Sequence, residues 1–209
     1  MNRLISTYGE YAIWQLSVHS LYQLAEFVVC QNHEHHTKGI GDNFQSEVLA
    51  VYKEELQYYE RSQTLIATTA DGQIIGSIRL MNWDRKQPLP MQTYFNLSSF
   101  EKALPLSTNI GRFAVSARAG ASGLTLFKLL LLYAMRPVYE SDNDLALAEC
   151  DNKLLRTMRL MGIRVQSIGE SIEYLGSKTT PVYATRDGLA NFFNKNRWLV
   201  DRCTTVAIS

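Results

Sequence analysis

Asn109-Ile-Gly-Arg-Phe-Ala-Val115 runs directly into Ser116-Ala-Arg-Ala-Gly-Ala-Ser-Gly123, and a long apolar run follows. The first segment predicts a strand, whereas the second is a small-residue turn that carries one arginine and opens a helix. Such a junction exposes backbone N–H groups at a helix N-terminus, where they can hold a phosphate group. No acidic residue occurs between Glu101 and Glu140. We therefore expect this stretch to bind an anionic ligand.

Length and charge limit the class of protein. The chain has 209 residues, of which 46% are hydrophobic, so we expect a single domain over residues 1–209. The net charge is +1: residues 1–101 carry 7 basic and 11 acidic residues (−4), and residues 102–209 carry 14 and 9 (+5). The C-terminal half favours an acidic partner, but the overall balance is unlike that of a nucleic-acid-binding domain.

Cysteine usage and hydropathy indicate the compartment. Cys30, Cys150 and Cys203 are widely spaced without a CxxC motif, which favours a reducing environment, with Cys150 in the core. Residues 1–11 lack the long apolar core of a signal peptide. The longest apolar stretch, Leu124–Met135, is interrupted by Lys128 and is too short to span a bilayer. We expect a cytoplasmic protein with no membrane span.

Hydrophobic periodicity predicts a mixed α/β fold. Helices are predicted at Val18–Gln31, Phe44–Arg61, Leu124–Tyr139, Asn152–Met161 and Leu189–Phe193. Strands are predicted at Thr64–Thr69, Ile74–Met81, Thr108–Val115, Asp144–Cys150, Val165–Ile168, Glu173–Leu175 and Pro181–Thr185. Asp71-Gly72 predicts a hairpin turn. The second helix is expected to place its glutamates on one side and its apolar residues on the other, namely Val48, Val51, Tyr52, Leu56 and Tyr59.

The element order and the junction resemble the GNAT acyltransferase superfamily. Its signature is a strand ending in Val, then Arg/Gln-x-x-Gly-x-Gly/Ala at the start of a helix; here Val115 precedes Arg118-x-x-Ala121-x-Gly123, and Ala121 replaces the first glycine. In that family the loop binds the pyrophosphate of coenzyme A or the phosphopantetheine of an acyl carrier protein. The resemblance implies a central twisted mixed sheet flanked by helices. It also implies a donor site at Ala114, Val115, Arg118, Ala119, Gly120, Ala121, Ser122 and Gly123.

Two further segments narrow the resemblance, which covers roughly Thr64 to Thr185. Gly76-Ser-Ile-Arg-Leu80 is similar to the Gly-x-x-Arg-Leu strand of acyl-homoserine-lactone synthases and long-chain N-acyl amino acid synthases. Asn109-Ile-Gly-Arg-Phe113 is similar to their Glu-Leu-Ser-Arg-Phe strand. Asn109 stands where those families carry a glutamate, and the Glu-x-Asp-x-x-Asp stretch of the lactone synthases is missing. Both differences count against homoserine-lactone synthesis.

The resemblance implies an N-acyltransferase that moves an acyl group from acyl carrier protein or acyl-CoA to an amino-acid-like amine, with no permanently bound cofactor. Backbone at Phe113 would orient the thioester, Arg79 and Asn109 would bind the acceptor, and Arg112 would bind the acceptor or stabilise charge. Two alternatives stay open. One is an acetyl-CoA-dependent small-molecule N-acetyltransferase, and the other is a GNAT-like module that binds a ligand or protein without catalysis.

Arginines within strands are costly unless they are paired or functional. In a functional interpretation, Arg79 and Arg112 clamp a carboxylate or phosphate of a substrate. In a structural interpretation, each reaches solvent or pairs with Glu101 or Glu149. Both interpretations stay open.

The acid–base residues are less well defined. Glu149, near the end of its strand, is a candidate general base acting through a water, and a capping or salt-bridge role is the alternative. Asp151 stands eleven residues before Gly162, where the family has Asn…Gly-Phe. Met158 replaces the tyrosine that the family often uses as general acid.

Three other clusters have competing interpretations. Lys153, Arg156 and Arg159 form a helical stripe that is either a solvated face or a docking site for the acidic surface of an acyl carrier protein. The stretch from His33 to His36 lacks zinc-site spacing, so we expect a solvated cluster and no metal. The helix from Leu124 either packs in the core or lines an acyl-chain tunnel together with Tyr94, Phe95 and Phe100.

Overall fold

The structure, a computed structural model, describes residues 1–36, 43–97, 107–142, 144–174 and 177–205. They pack into two compact units that interleave along the chain. The first holds the described residues of Met1–Arg79, Arg112–Leu131 and Trp198–Ser209, and the second those of Leu80–Gly111 and Leu132–Arg197. The single domain expected over residues 1–209 stays a prediction.

Sixteen helices and strands follow one another along the described chain, apart from short 3-10 turns. In order they are β1 (Arg3–Tyr8), β2 (Tyr11–Gln15), α1 (Leu21–His36), α2 (Phe44–Tyr58), β3 (Ser62–Thr68), β4 (Ile74–Trp83), β5 (Ser107–Val115), α3 (Gly123–Glu140), β6 (Leu145–Asp151), α4 (Asn152–Leu160), β7 (Gln166–Ser167), β8 (Ile172–Tyr174), β9 (Ser177–Ala184), α5 (Arg186–Asn196), α6 (Trp198–Asp201) and β10 (Thr204–Thr205).

The strands form a mixed sheet in the order β10-β1-β2-β3-β4-β5-β6-β9-β7, and β8 pairs with β9. Strands β5 and β6 are parallel, with Ser107 aligned to Leu145 and Ile110 aligned to Ala148. The pairs β1–β2, β2–β3 and β6–β9 are antiparallel. The predicted mixed α/β class, with a mixed sheet flanked by helices, is confirmed.

The N-terminal strands β1 and β2 are absent from the sequence prediction. The register of their pairing shifts between Leu4 and Ser6, so a bulge interrupts β1. A bulge inserts one residue and breaks the alternation of buried and exposed positions that identifies a strand. The last predicted helix is also longer than expected, since α5 begins at Arg186, where Thr185 accepts a hydrogen bond from the Gly188 N–H.

Helices α1 and α2 close one side of the first unit. Leu21 and Leu24 of α1 pack with Leu16 and Ile66, all of them buried. A second cluster joins α1 to α2, and it contains Ala25, Val29 and Val48. The spacing of these apolar positions, three and four residues apart, directs one face of each helix inward.

The long apolar helix is a core element. With the turn before it, α3 forms a 24-residue segment of mean hydropathy 1.2, the one helix of the described chain that is long and apolar enough to cross a membrane. Most of its apolar side chains are buried, among them Leu126, Leu129, Leu130, Leu132 and Val138, whereas Leu124 at its start is exposed. Of its membrane-length window 44% is buried inside the protein, as in a helix that packs in a core.

Gly76 lets α3 approach β4 closely. A Cβ atom at Gly76 would lie 2.9 Å from Leu130 Cδ1 and 3.3 Å from Leu126 Cδ2. Real Cβ contacts are longer than this, so a larger side chain must displace the two leucines. The glycine of the Gly76–Leu80 motif is therefore a packing requirement of the first unit.

We expect Gly76→Val to destabilise the protein by about 1–3 kcal/mol, because its extra methyl groups overpack the contact with α3. Gly76→Ala should cost less, since the leucine ends can shift and alanine reduces the entropy of the unfolded chain. Urea unfolding measures both changes. Gly123→Ala is the control, because its Cβ would meet Ala119 Cβ at an ordinary 3.6 Å. Equal stability of Gly76→Val and wild type would contradict this packing.

Candidate active site

Strand β5 is distorted at Arg112. This residue has a φ of 50°, a left-handed conformation that non-glycine residues seldom adopt within a strand. Such a conformation costs about 1–3 kcal/mol and persists only where surrounding contacts enforce it. One contact is evident: the buried Ser77 Oγ on β4 donates a hydrogen bond of 2.7 Å to the Arg112 carbonyl.

The Ser77 hydrogen bond also orients the next amide. In a planar trans peptide the C=O and the following N–H point in opposite directions. Because the Arg112 C=O points toward Ser77 Oγ, the Phe113 N–H points away from it. The Phe113 ring contacts the Phe127 ring of α3 edge to face, with centroids 4.6 Å apart. Backbone and side chain of Phe113 are thus both held in place.

The turn after β5 has the features predicted from its glycines. Ser116 begins it, accepting the Ala119 N–H at its carbonyl and the Arg118 N–H at its Oγ. Two 3-10 pieces within Ala117–Ser122 join at Gly120, whose φ of 55° and ψ of −138° suit glycine. Its exposed residues are Ala117, Arg118, Gly120, Ala121 and Ser122. The turn leads into the N-terminus of α3, where the helix dipole favours an anion.

Two glutamates of α2 bind the two arginines of the strand motifs. Glu55 Oε1 lies 2.5 Å from Arg79 Nη1 and 2.7 Å from Arg112 Nε. Glu54 Oε1 lies 2.7 Å from Arg112 Nη2 and 3.5 Å from Arg79 Nη1. The structure thus brings Arg79 and Arg112 together around one carboxylate, and the four formal charges sum to zero.

Burial within this cluster is uneven. The side chains of Glu55 and Arg79 are 1% and 4% exposed, whereas those of Arg112 and Glu54 are 15% and 35% exposed. The Arg79 guanidinium also lies 5.7 Å from the ring centroid of Tyr58. The cluster therefore has a buried end at Glu55 and Arg79 and a solvent-facing end at Arg112 and Glu54.

This pairing corrects two expectations. Arg79 and Arg112 pair with the α2 glutamates instead of reaching solvent; of the two partners considered, Glu101 lies outside the described residues and Glu149 lies on β6 in the second unit. On α2, Glu55 is buried whereas Leu56 is 47% exposed, the reverse of the predicted arrangement. Glu55 falls seven residues after Val48, two helical turns along, so it lies on the buried face.

The remaining predicted site residues lie in the second unit. Asn109 is buried on β5, and its Nδ2 donates to Met91 Sδ at 3.5 Å. Glu149 is partly buried on β6, at the position aligned with Pro181. The roles assigned to Asn109 and Glu149 stay predictions.

Structural roles account for three residues near Glu149. Cys150 is buried as expected, and burial, with Glu149 and Asp151 nearby, raises the pKa of its thiol. Asp151 caps α4 by accepting the Leu154 N–H at 2.7 Å. Met158 is buried on α4.

The basic stripe on α4 and the histidine cluster on α1 differ in their exposure to solvent. Lys153, Arg156 and Arg159 are exposed on α4, as the stripe predicts. The expectation of a solvated histidine cluster is wrong for His33, which is buried with its Nε2 2.7 Å from Glu47 Oε2. The hydrogen bond joins α1 to α2 and explains why the ring leaves solvent.

Of the aromatic residues proposed for an acyl tunnel, Phe95 is buried and Tyr94 is half exposed. Phe100 lies outside the described residues, and the tunnel stays a prediction.

Comparisons with known proteins show which family and which solved structures this chain resembles. The family model for N-acyl amino acid synthase FeeM matches residues 42–186, well over half of the chain. FeeM from uncultured soil microbes is similar in structure, with a TM-score of 0.57 and 14% identity over 88% of this chain and 96% of that one. TofI, an acyl-homoserine-lactone synthase solved in a ternary complex with an inhibitor and MTA, has a TM-score of 0.55 and 15% identity over 88% and 96%.

The likeness extends to acetyltransferases. A GNAT-family acetyltransferase from Staphylococcus aureus Mu50 has a TM-score of 0.53 and 14% identity over 84% of this chain and 99% of that one. No curated protein sequence matches the chain. The predicted GNAT-like fold and the resemblance to N-acyl amino acid synthases are confirmed.

We expect Glu55→Gln to destabilise the protein by about 3–5 kcal/mol, because it leaves the buried Arg79 guanidinium and the partly buried Arg112 guanidinium without their shared carboxylate. Glu54→Gln, the matched control on the same helix, should cost less than about 1 kcal/mol, since its carboxylate is partly solvated. Urea unfolding measures both. Equal losses for the two variants would show that Glu55 does not hold the cluster.

Proposed function

Since the chain belongs to the family of N-acyl amino acid synthase FeeM, a family of GNAT-related N-acyltransferases, we propose that it acylates the amine of an amino-acid-like acceptor. The acyl donor is a thioester, either acyl-CoA or acyl carrier protein. The observation that carries this proposal is the passage of the distorted strand β5 into the exposed turn at the start of α3.

The turn supports a donor site. Both donors carry a phosphopantetheine group, and the helix N-terminus after Gly120 offers backbone amides and the positive end of a dipole to its phosphate. The exposed Arg118 adds a charge-assisted hydrogen bond. We assign donor binding to Ala114, Val115, Arg118, Ala119, Gly120, Ala121, Ser122 and Gly123.

The chemistry requires few groups. The neutral amine attacks the thioester carbonyl carbon, a C–N bond forms, and negative charge develops on the carbonyl oxygen. The Phe113 N–H, oriented by Ser77 through the Arg112 peptide, would stabilise that charge. The C–S bond then breaks, the thiolate leaves, and the amine proton passes to a base or water. We retain Glu149 as the candidate base.

The solvent-facing end of the charge cluster suits an amino acid. Arg112 offers a guanidinium to the acceptor carboxylate, and Glu54 offers a carboxylate to its ammonium group. Arg79 would act through Glu55, which it contacts directly. Asn109 is retained as an acceptor-binding residue.

Two features bear on the cellular compartment of the reaction and on the protein that delivers the acyl group. The soluble fold and the reducing compartment that the cysteines favour suit a cytoplasmic enzyme. The exposed stripe of Lys153, Arg156 and Arg159 suits an acidic carrier protein. The acyl group that we propose is transferred is a fatty one, and the donor thioester that the protein accepts would determine its chain length.

Release of free thiol tests the reaction. Purified protein is mixed with acetyl-CoA, long-chain acyl-CoA or acyl carrier protein, each against a panel of amino acids and other amines. We expect thiol release that depends on an amino-acid-like amine and is faster with a long acyl chain. Preference for acetyl-CoA with small amines would instead indicate an acetyltransferase. Binding of donors without thiol release would indicate a non-catalytic module.

We expect Ser77→Ala to lower kcat about tenfold or more with little change in donor KM, because the Phe113 amide loses its fixed orientation. Ser62→Ala is the control, since Ser62 Oγ makes the same type of bond, 2.9 Å to the Tyr58 carbonyl. Steady-state kinetics separates the two. Unchanged kcat in Ser77→Ala would remove Phe113 from the proposed mechanism.

We expect charge reversal of Lys153, Arg156 and Arg159 to glutamate to raise KM for acyl carrier protein at least tenfold while leaving acyl-CoA unaffected. The reason is loss of electrostatic attraction to an acidic carrier. The exposed pair Arg85→Glu/Lys86→Glu is the control. If both variants have the same KM for acyl carrier protein, the stripe is only a solvated face.

A further inference from the structure

Tyr11 reaches the donor turn from the other end of the chain. Its Oη donates a hydrogen bond of 3.2 Å to the Ala119 carbonyl, across 108 positions of sequence. Ala119 is buried and directly precedes Gly120, where the two 3-10 pieces of the turn join. This hydrogen bond joins the N-terminal hairpin to the donor turn.

The hairpin is a rigid support for this contact. Tyr11 begins β2 and is aligned with Tyr8 of β1 across the two-residue turn Gly9-Glu10. Gly9 has a φ of 56°, which suits the first central position of a type II′ turn. Strand β2 is in turn paired with β3, with Ala12 aligned to Thr68. The Tyr11 hydroxyl is therefore held by the sheet.

Gly120 is the residue of the turn whose own side chain restricts its backbone torsion angles least. Glycine populates positive and negative φ almost equally, so the torsion angles of Gly120 must be set by contacts on either side of it. Helix α3 holds one side, since Gly123 N–H bonds to the Gly120 carbonyl. The Tyr11 hydrogen bond holds the other side at Ala119. The direction of the Ala121 amide depends on the Gly120 torsion angles between them.

We propose that Tyr11 is a positioning residue for donor binding: by fixing the Ala119 carbonyl, it keeps the Gly120–Ser122 amides in the conformation that receives the phosphate of a phosphopantetheine group. Tyr11 does not touch the donor in this scheme. The inference rests on the proposed function, because it assigns the turn to that donor. It extends that site to a residue of the N-terminal strands.

Tyr11→Phe tests the role, since it deletes one hydroxyl and keeps the ring. We expect the Kd for free CoA, measured by calorimetry, to rise about threefold to tenfold, the loss typical of one neutral hydrogen bond. Donor KM should rise by a similar factor while kcat and acceptor KM stay within about twofold. The control is Tyr22→Phe, whose Oη donates a 3.2 Å bond to Gln45 Oε1 on an exposed surface.

Amide NMR separates this inference from the proposed function. In Tyr11→Phe, with no ligand present, the ¹⁵N and ¹H shifts of Gly120 and Ala121 should move, whereas in Tyr22→Phe they should not. Unmoved shifts together with unchanged CoA affinity would overturn the role of Tyr11. Moved shifts in a protein that binds neither CoA nor acyl carrier protein would leave Tyr11 as the holder of the turn and would refute the donor site.

A double-mutant cycle provides a second measurement. Gly120→Ala strains the positive φ and should weaken CoA binding by itself. Because both changes act on one peptide group, their combined effect on Kd should be smaller than the product of the separate effects. Independent effects that multiply would contradict a shared conformational role.

Discussion

The buried carboxylate of Glu55 is the interaction on which the chemistry-bearing strands depend. It joins α2 to Arg79 on β4 and to Arg112 on β5, with both nitrogens within 2.7 Å of one oxygen. Removing two arginines from water is unfavourable unless a carboxylate compensates them. Glu55 supplies that compensation, and in doing so it holds Arg112 at the position where the backbone leaves the regular strand conformation. Helix α2 therefore contributes to the candidate site although it carries none of the family motifs quoted above.

The same type of hydrogen bond occurs at two places where β5 passes into the donor turn. In each, a side-chain hydroxyl from another strand donates to a main-chain carbonyl: Ser77 to Arg112 and Tyr11 to Ala119. A carbonyl that is held in this way determines the plane of its peptide group, so a distant residue can orient an amide without approaching the substrate. The two carbonyls flank the segment from Phe113 to Arg118. Backbone groups do the proposed binding, and side chains from elsewhere set their direction.

The local parts of this arrangement were predictable and the non-local parts were not. The glycines and small residues of the turn, and the periodicity of β5 and α3, predicted the junction because these features depend on neighbouring residues. Glu55 could have been recognised as buried, since it follows Val48 by two helical turns. Its pairing with Arg79 and Arg112 depends on how distant elements pack, which no local pattern encodes. Strand β1 was missed because a bulge breaks its alternation, β2 was missed with it, and so the contact from Tyr11 was missed.

The edge of the first unit has a consequence for how the protein is made. Strand β1 pairs on one side with β2 and on the other with β10, where Ser6 is aligned with Thr205. During synthesis the β1–β2 hairpin leaves the ribosome well before residues 204 and 205, so the outer edge of β1 gains this partner late. Until then β1 presents unpaired backbone groups, the kind of edge that invites intermolecular pairing. Breaking the pairing between β1 and β10 would therefore favour intermolecular pairing through β1.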